Sequence, residues 1–322
     1  MNFFKPFVIF LMGPTASGKS NLAMKLRKYL PIELISVDSA LIYRYMNIGT
    51  AKPNCLQLLK HPHRLVDCKD PSDFYSAAEF RLDALREIED ILYSGKIPLL
   101  VGGTMFYYNI LLNGISHLPK SNFHLRKRIL SSNIYNKSNY LYNYLFKIDS
   151  ESCKNIHPND SQRLLRALEI CLITGKKFSE LNKIKNHRFP YKLIQFAHIP
   201  DKKYLHYKIK SRFYKMLHQG LELEVKSLFY RTDLNINLPS MRCIGYRYMW
   251  LYLSNMITYH EMIVKSLSAT RKLVKRQMTW IRNWKNVHYL YTTDVHQLIQ
   301  EVLNVLNEIE CLKNHKNSLF KK

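Results

Sequence analysis

Six cysteines, Cys55, Cys68, Cys153, Cys171, Cys243 and Cys311, are scattered along the 322-residue chain with no C-x-x-C pair and no Cys/His spacing that would hold zinc. A reducing cytosol is the simplest setting for such a chain, and a cytoplasmic protein is expected. No apolar run approaches the length of a membrane span, so solubility is expected as well. Phe7 to Met12, after Lys5, is too short for a secretion signal and leads straight into a glycine-containing loop; it reads as a strand. No internal repeat is present. Acid is scarce too: Asp and Glu total 24 against 49 Lys and Arg, a formal net charge of +25. Such an imbalance implies a polyanionic partner, with nucleic acid ahead of an anionic membrane surface and of a merely solubilising surface.

What is present begins with Gly13-Pro14-Thr15-Ala16-Ser17-Gly18-Lys19-Ser20, which satisfies the phosphate-loop pattern G-x-x-x-x-G-K-[ST] at every fixed position. A buried strand precedes it and a run with helical spacing of Leu22, Ala23 and Leu26 follows. Glycines at 13 and 18 let backbone N–H groups turn inward on an anion. The helix N-terminus adds partial positive charge, Lys19 a whole one, and the Ser20 hydroxyl suits Mg²⁺. The loop alone does not name a reaction.

A second strand, Glu33 to Val37, delivers Asp38-Ser39-Ala40-Leu41 to the carboxyl edge of the sheet, where open α/β sheets place their chemistry. Tyr43 to Pro53 reads as a loop. Ser76 to Glu79 is a capping box opening a helix with Phe80, Ala84, Leu85, Ile88 and Leu92 in phase, closed by Gly95. A third strand, Ile97 to Val101, ends in Gly102-Gly103-Thr104 and a Tyr- and Leu-rich helix to Gly114. A nucleotide hydrolase would place an Asp at such a strand end to hold Mg²⁺; this one offers glycines and a threonine.

From about Ser121 to Pro190 the sequence turns basic and Tyr/Asn-rich, which points to an inserted helical domain. Its clearest helix begins near Asn159, with Arg163 and Arg166 on one face and Leu164, Leu168 and Cys171 opposite. A strand from Leu193 to His198 returns to the core, followed by a helix carrying Arg212 and a second capping box at Thr258 to Glu261. The long helix after it carries Arg271, Lys272, Lys275, Arg276, Trp280 and Arg282, with Leu267 and Trp280 as its packing side. The fold expected is α/β: a phosphate-loop NTPase-like parallel sheet flanked by helices (1–120 and 191–312), a helical insertion (121–190) and a disordered tail (313–322).

Together these segments resemble the bacterial-type tRNA dimethylallyltransferase (tRNA isopentenyltransferase) family. The matching runs are residues 13–20, Ser36 to Tyr43, Gly49-Thr50-Ala51-Lys52-Pro53, His63-Arg64-Leu65-Val66-Asp67, Val101 to Met105, His157 to Leu164, Arg242-Cys243-Ile244-Gly245-Tyr246-Arg247 and Lys275 to Trp280. They span about residues 7 to 290. The resemblance implies transfer of a dimethylallyl group from dimethylallyl diphosphate to N6 of the adenosine 3′ of the anticodon, with Gly13 to Ser20 cradling the diphosphate, Ser20 on Mg²⁺, Lys19 and Arg212 absorbing leaving-group charge, Asp38 as base and Thr104 orienting substrate. It further implies an anticodon stem-loop gripped by Asp38, Ser39, Ala40, Leu41, Thr104, Arg126, Gln162, Arg163, Leu164, Leu165, Arg166, Arg242 to Arg247, Lys275, Arg276, Gln277, Met278, Thr279, Trp280, Ile281 and Arg282. A monomer without affinity for DNA or membranes is expected. The appended zinc finger of eukaryotic members is absent from the sequence. Two rival readings remain: a phosphate-loop kinase acting on RNA or a small metabolite, and a non-catalytic RNA-binding protein.

Overall fold

The computed structural model describes residues 7–116, 118–131, 139–183 and 189–308. The order is β1 (Phe7–Met12), α1 (Lys19–Leu26), β2 (Ile32–Val37), α2 (Cys55–Lys60), β3 (His63–Arg64), α3 (Ala77–Tyr93), β4 (Ile97–Gly102) and α4 (Met105–Asn113). Then come α5 (Phe123–Ser131), α6 (Tyr140–Ile148), α7 (Ser150–Asn155), α8 (Ser161–Thr174) and α9 (Phe178–Leu181). The chain closes with β5 (Lys192–His198), α10 (Lys202–His218), α11 (Leu221–Phe229), a 3₁₀ turn (Ser240–Arg242), α12 (Ile244–Leu253), α13 (Tyr259–Arg282), β6 (His288–Leu290) and α14 (Val295–Glu308). The chain divides into two compact units: residues 1–111 with 190–322, and Leu112–Phe189. The expected tail at 313–322 lies outside the described residues.

In the first unit the six strands form one sheet in the order β3-β2-β4-β1-β5-β6, every pair parallel. Continuous apolar strands are what a parallel sheet covered on both faces requires, and β1 and β4 are buried at every residue. Ile9, Leu11, Leu34, Leu99 and Val101 share a core with Leu22, Leu26, Leu298 and Val302, so α1 and α14 cover that face. On the other face the Phe10 and Tyr108 rings lie 4.8 Å apart, and Phe80 stacks on Tyr107 at 4.2 Å. The strand at 97–102 is the fourth in the chain: His63 and Arg64 pair with Leu34 and Ile35, a ladder too short to leave a periodic signal. Along α3 the core residues are Phe80, Ala84, Ile88 and Ile91; Leu85 and Leu92 are only partly covered. Gly102 closes β4 where a Cβ would lie 2.0 Å from the Val37 carbonyl oxygen, so the ends of β2 and β4 meet more closely than any side chain permits.

The second unit has its own core of Ile129, Leu141, Leu145, Ile156, Leu164, Ala167, Leu168 and Cys171. Two buried carboxylates organise it. Glu169 accepts from Arg126 at 3.0 and 2.8 Å, from Arg166 at 2.5 Å and from the Asn122 amide at 2.6 Å. Asp149 takes hydrogen bonds from Ser152 and Ser179. Each buried charge is partnered, which offsets the desolvation cost it carries.

Candidate active site

Because every strand runs the same way, the loops after β1, β2, β4 and β5 all emerge at one edge. The first, Gly13 to Gly18, turns sharply: Ala16 and Gly18 have φ of 68° and 93°, and Ser17 N–H donates to the Pro14 carbonyl at 3.2 Å. A Cβ at Gly13 would sit 2.8 Å from both Ser17 Oγ and the His198 carbonyl, so the loop lies directly on the end of β5. Ser17 Oγ is buried in the cradle without a partner. Lys19 curls back to the Pro14 carbonyl at 3.2 Å.

Asp38 leaves the end of β2 in a tight turn, its Oδ1 accepting from Ala40 N–H at 2.9 Å. Thr104 sits beside it: its Oγ1 accepts from Ser39 N–H at 3.1 Å and its own N–H donates to the Val37 carbonyl. Thr15, Ala16, Asp38, Thr104 and Arg212 line one cavity of about 580 Å³, whose walls continue over Ile209, Phe213, Met216 and Leu273 to Cys243 and Trp280. Burial pulls the Lys19 ammonium down to about 8, Asp38 opposing and Arg212 reinforcing the fall. Burial also lowers the Arg212 pKa, again against Asp38. Two cations thus share one carboxylate, a surplus of positive charge that an anionic ligand would relieve. The Cys243 thiol is pushed up to about 12 by burial and by Asp38, and so stays protonated.

The sequence-expected RNA residues divide by exposure. Ser39, Gln162, Arg163, Arg242, Arg247, Lys275, Arg276, Thr279, Trp280 and Arg282 are exposed, and Leu41, Leu165 and Met278 partly so. Leu164, Tyr246, Gln277 and Ile281 are enclosed, which corrects the expectation that their side chains grip RNA: the apolar ones fill cores and the polar ones bond within the protein. Arg126 and Arg166, expected on an RNA-facing surface, both hold Glu169. Trp280 is 39 % exposed rather than packed; the buried seam of α13 is Met262, Ser266, Leu267, Val274, Gln277 and Ile281.

Sequence reasoning missed Glu224. Its carboxylate accepts from three successive backbone N–H groups, of Asn47, Ile48 and Gly49, at 2.8 to 3.0 Å, and from the Tyr246 hydroxyl at 2.5 Å. It pins the loop whose Gly49 and Thr50 line the cavity. The signal available was the glycine in each of two motifs: a Cβ at Gly49 would lie 2.5 Å from the Tyr246 ring, and one at Gly245 3.3 Å from the Gly49 carbonyl. Lys52, in the same loop, ion-pairs with Asp67 and donates to the Tyr43 carbonyl at 2.7 Å, joining three of the quoted motifs.

Residues 41–284 match the family model described as IPP transferase. The chain belongs to the IPP transferase family. It is 56% identical over 312 residues to a tRNA dimethylallyltransferase of Buchnera aphidicola subsp. Acyrthosiphon pisum (strain APS), covering 96% of this chain and 98% of that one. Among solved structures it resembles a tRNA delta(2)-isopentenylpyrophosphate transferase from Staphylococcus epidermidis (TM-score 0.68, 32% identity, 94% of this chain and 100% of that one). It also resembles a eukaryotic dimethylallyltransferase described as acting on tRNA (TM-score 0.77, 27% identity, 91% and 75%). The family match starts beyond the phosphate loop and Asp38, so their part in this family member's site rests on the geometry above. Among the described residues no group of three or more His, Cys, Asp or Glu could hold a metal, and no helix is long and apolar enough to cross a membrane.

Proposed function

We propose that this IPP transferase family member moves a dimethylallyl group from dimethylallyl diphosphate to N6 of the adenosine 3′ of the anticodon in tRNA, releasing diphosphate. The observation that carries the reading is one cavity lined together by Thr15 and Ala16 of the phosphate loop, Asp38, Thr104 and Arg212, with the apolar Ile209, Phe213 and Met216 in the same lining. The loop and Arg212 bind the diphosphate; Lys19 leaves the Pro14 carbonyl for a phosphate oxygen. The apolar stretch along Ile209, Phe213 and Met216 takes the five-carbon chain and excludes water from it.

N6 of adenine is a poor nucleophile because its lone pair is delocalised into the ring. As N6 bonds to C1 of the allyl group, the C1–O bond breaks with its electron pair going to diphosphate, and Asp38 takes the N6 proton. Proton removal at that point contributes roughly 10² to 10⁴-fold. Thr104 Oγ1, fixed by Ser39 N–H, holds the substrate against Asp38. Lys19 and Arg212 stabilise the charge developing on the leaving group. Cys243, the softer nucleophile in the cavity, is kept out of competition by its raised pKa. Reaching the site requires the adenosine to leave its stack, with the exposed cations of α13 and the Arg242–Arg247 segment on the RNA backbone.

Ser20 fits a Mg²⁺ ion. It is exposed at the N-terminus of α1, and a lone hydroxyl leaves the remaining positions to diphosphate oxygens and water, the ligand set Mg²⁺ favours. When bound, the ion neutralises diphosphate charge. The protein acts in the cytoplasm as a monomer, without DNA or membrane partners. Incubation with tRNA, Mg²⁺ and labelled dimethylallyl diphosphate, then nucleoside mass spectrometry, is expected to show prenylated adenosine. Label entering RNA from ATP instead would make the protein a kinase.

A further inference from the structure

Gln277 lies on the buried seam of α13, 7 % exposed, and its amide is used at both ends. Oε1 accepts from Thr15 N–H of the phosphate loop at 2.9 Å, and Nε2 donates to the Gly103 carbonyl at 2.8 Å. The fit is close: a Cβ at Gly103 would lie 2.6 Å from Nε2 and 3.2 Å from the Gly13 carbonyl. The next residue, Thr104, is the one whose hydroxyl holds Ser39 N–H. A single amide therefore ties the loop that cradles phosphate to the strap that carries Thr104.

We infer that Gln277 is a positioning residue that sets the spacing between the diphosphate cradle and the Thr104–Asp38 end of the cavity. This rests on the prenyl-transfer reading and deepens it. Transfer needs the leaving oxygen, the allyl carbon and the accepting nitrogen nearly in line, and Gln277 spans the distance that fixes their separation. Its amide matches the task because it alone among side chains of this length donates and accepts in one plane; a carboxylate would turn an oxygen toward the Gly103 carbonyl. Lys275, Arg276 and Arg282 of α13 are exposed while Gln277 is buried, and Arg276 lines the same cavity as Gln277, so the helix brings a cation to the cavity as well as an amide to the cradle.

Gln277→Met keeps the volume and removes both bonds. Steady-state kinetics with tRNA and dimethylallyl diphosphate are expected to show kcat lower by about 10², the cost of a displacement near 1 Å in the reacting groups, with a raised KM for the diphosphate and unchanged tRNA affinity. A rise in tRNA Kd with kcat at saturation unchanged would assign Gln277 to RNA contact and overturn the inference; so would wild-type kcat and KM. Thermal melting checks folding, and Gln277→Asn, one methylene shorter, is read the same way if the Met variant fails to fold. In the double variant with Thr104→Ala the two losses are expected to be less than multiplicative, because one spacing is being broken twice; independent, multiplicative losses would refute the link through the strap. No transfer by the wild-type protein would instead count against the reaction itself.

Discussion

Asp38 is held in place by its own turn, with one oxygen accepting from Ala40 N–H, so its position does not depend on substrate. Asp38→Ala is therefore expected to lower kcat by roughly 10² or more while tRNA affinity stays the same; equal loss of affinity would mean Asp38 binds and does not take the proton. Lys19 gives a pH signature. Burial lowers its ammonium to about 8, so the cation is present below that pH and lost above it. With a depressed cationic group, kcat/KM for dimethylallyl diphosphate falls as pH rises through about 8. Lys19→Arg, which stays charged, should remove that limb whatever it does to the maximum rate.

At the scale of elements, the site depends on how closely β2 and β4 end together. Gly102→Ala would set a Cβ against the Val37 carbonyl, a backbone atom with no room to retreat. Asp38 follows β2 directly and Thr104 follows β4 after Gly103, so a loss of about 10² in kcat is expected along with a lower melting temperature. Unchanged turnover in this variant would show that the strand ends are free to separate. The loop at 47–52 is held differently, by charges. Asp67→Ala would leave the Lys52 ammonium, whose side chain is 2% exposed, with only the Tyr43 carbonyl and Asn47. Because Asp67 is itself 39% exposed and Lys52 keeps two acceptors, the loss is about 1 kcal/mol, which denaturant unfolding would read directly.

Across the whole molecule the charge of +25 acts as a field rather than as a set of contacts. Some of it is committed internally: Arg126 and Arg166 to Glu169, Arg64 to Glu33, Glu87 and Asp90, Arg231 to Asp70 and Asp233. The exposed remainder on α13 and at Arg242 and Arg247 is what we propose meets RNA phosphates. If it makes roughly six to ten phosphate contacts, tRNA affinity falls by roughly 10³ to 10⁵ between about 50 and 200 mM salt. A titration that stays flat over that range would leave the charge without a role in binding.

The sequence by itself determined the pieces whose signals are local. The phosphate loop needs eight contiguous residues, β1 an unbroken apolar run, and α3 and α13 their capping boxes, all recovered in place because turn, cap and periodicity are properties of neighbours along the chain. Asp38 and Thr104 were legible as strand-end residues for the same reason. Only the tertiary structure decided what depends on distant partners: the two-residue β3 that exists through pairing with β2, the enclosure of Gln277 and Tyr246, and Glu224 capturing three backbone amides more than 170 residues away. A side chain's type restricts what it can bond, but which of its donors and acceptors remain for a ligand is settled by the segments that fold against it.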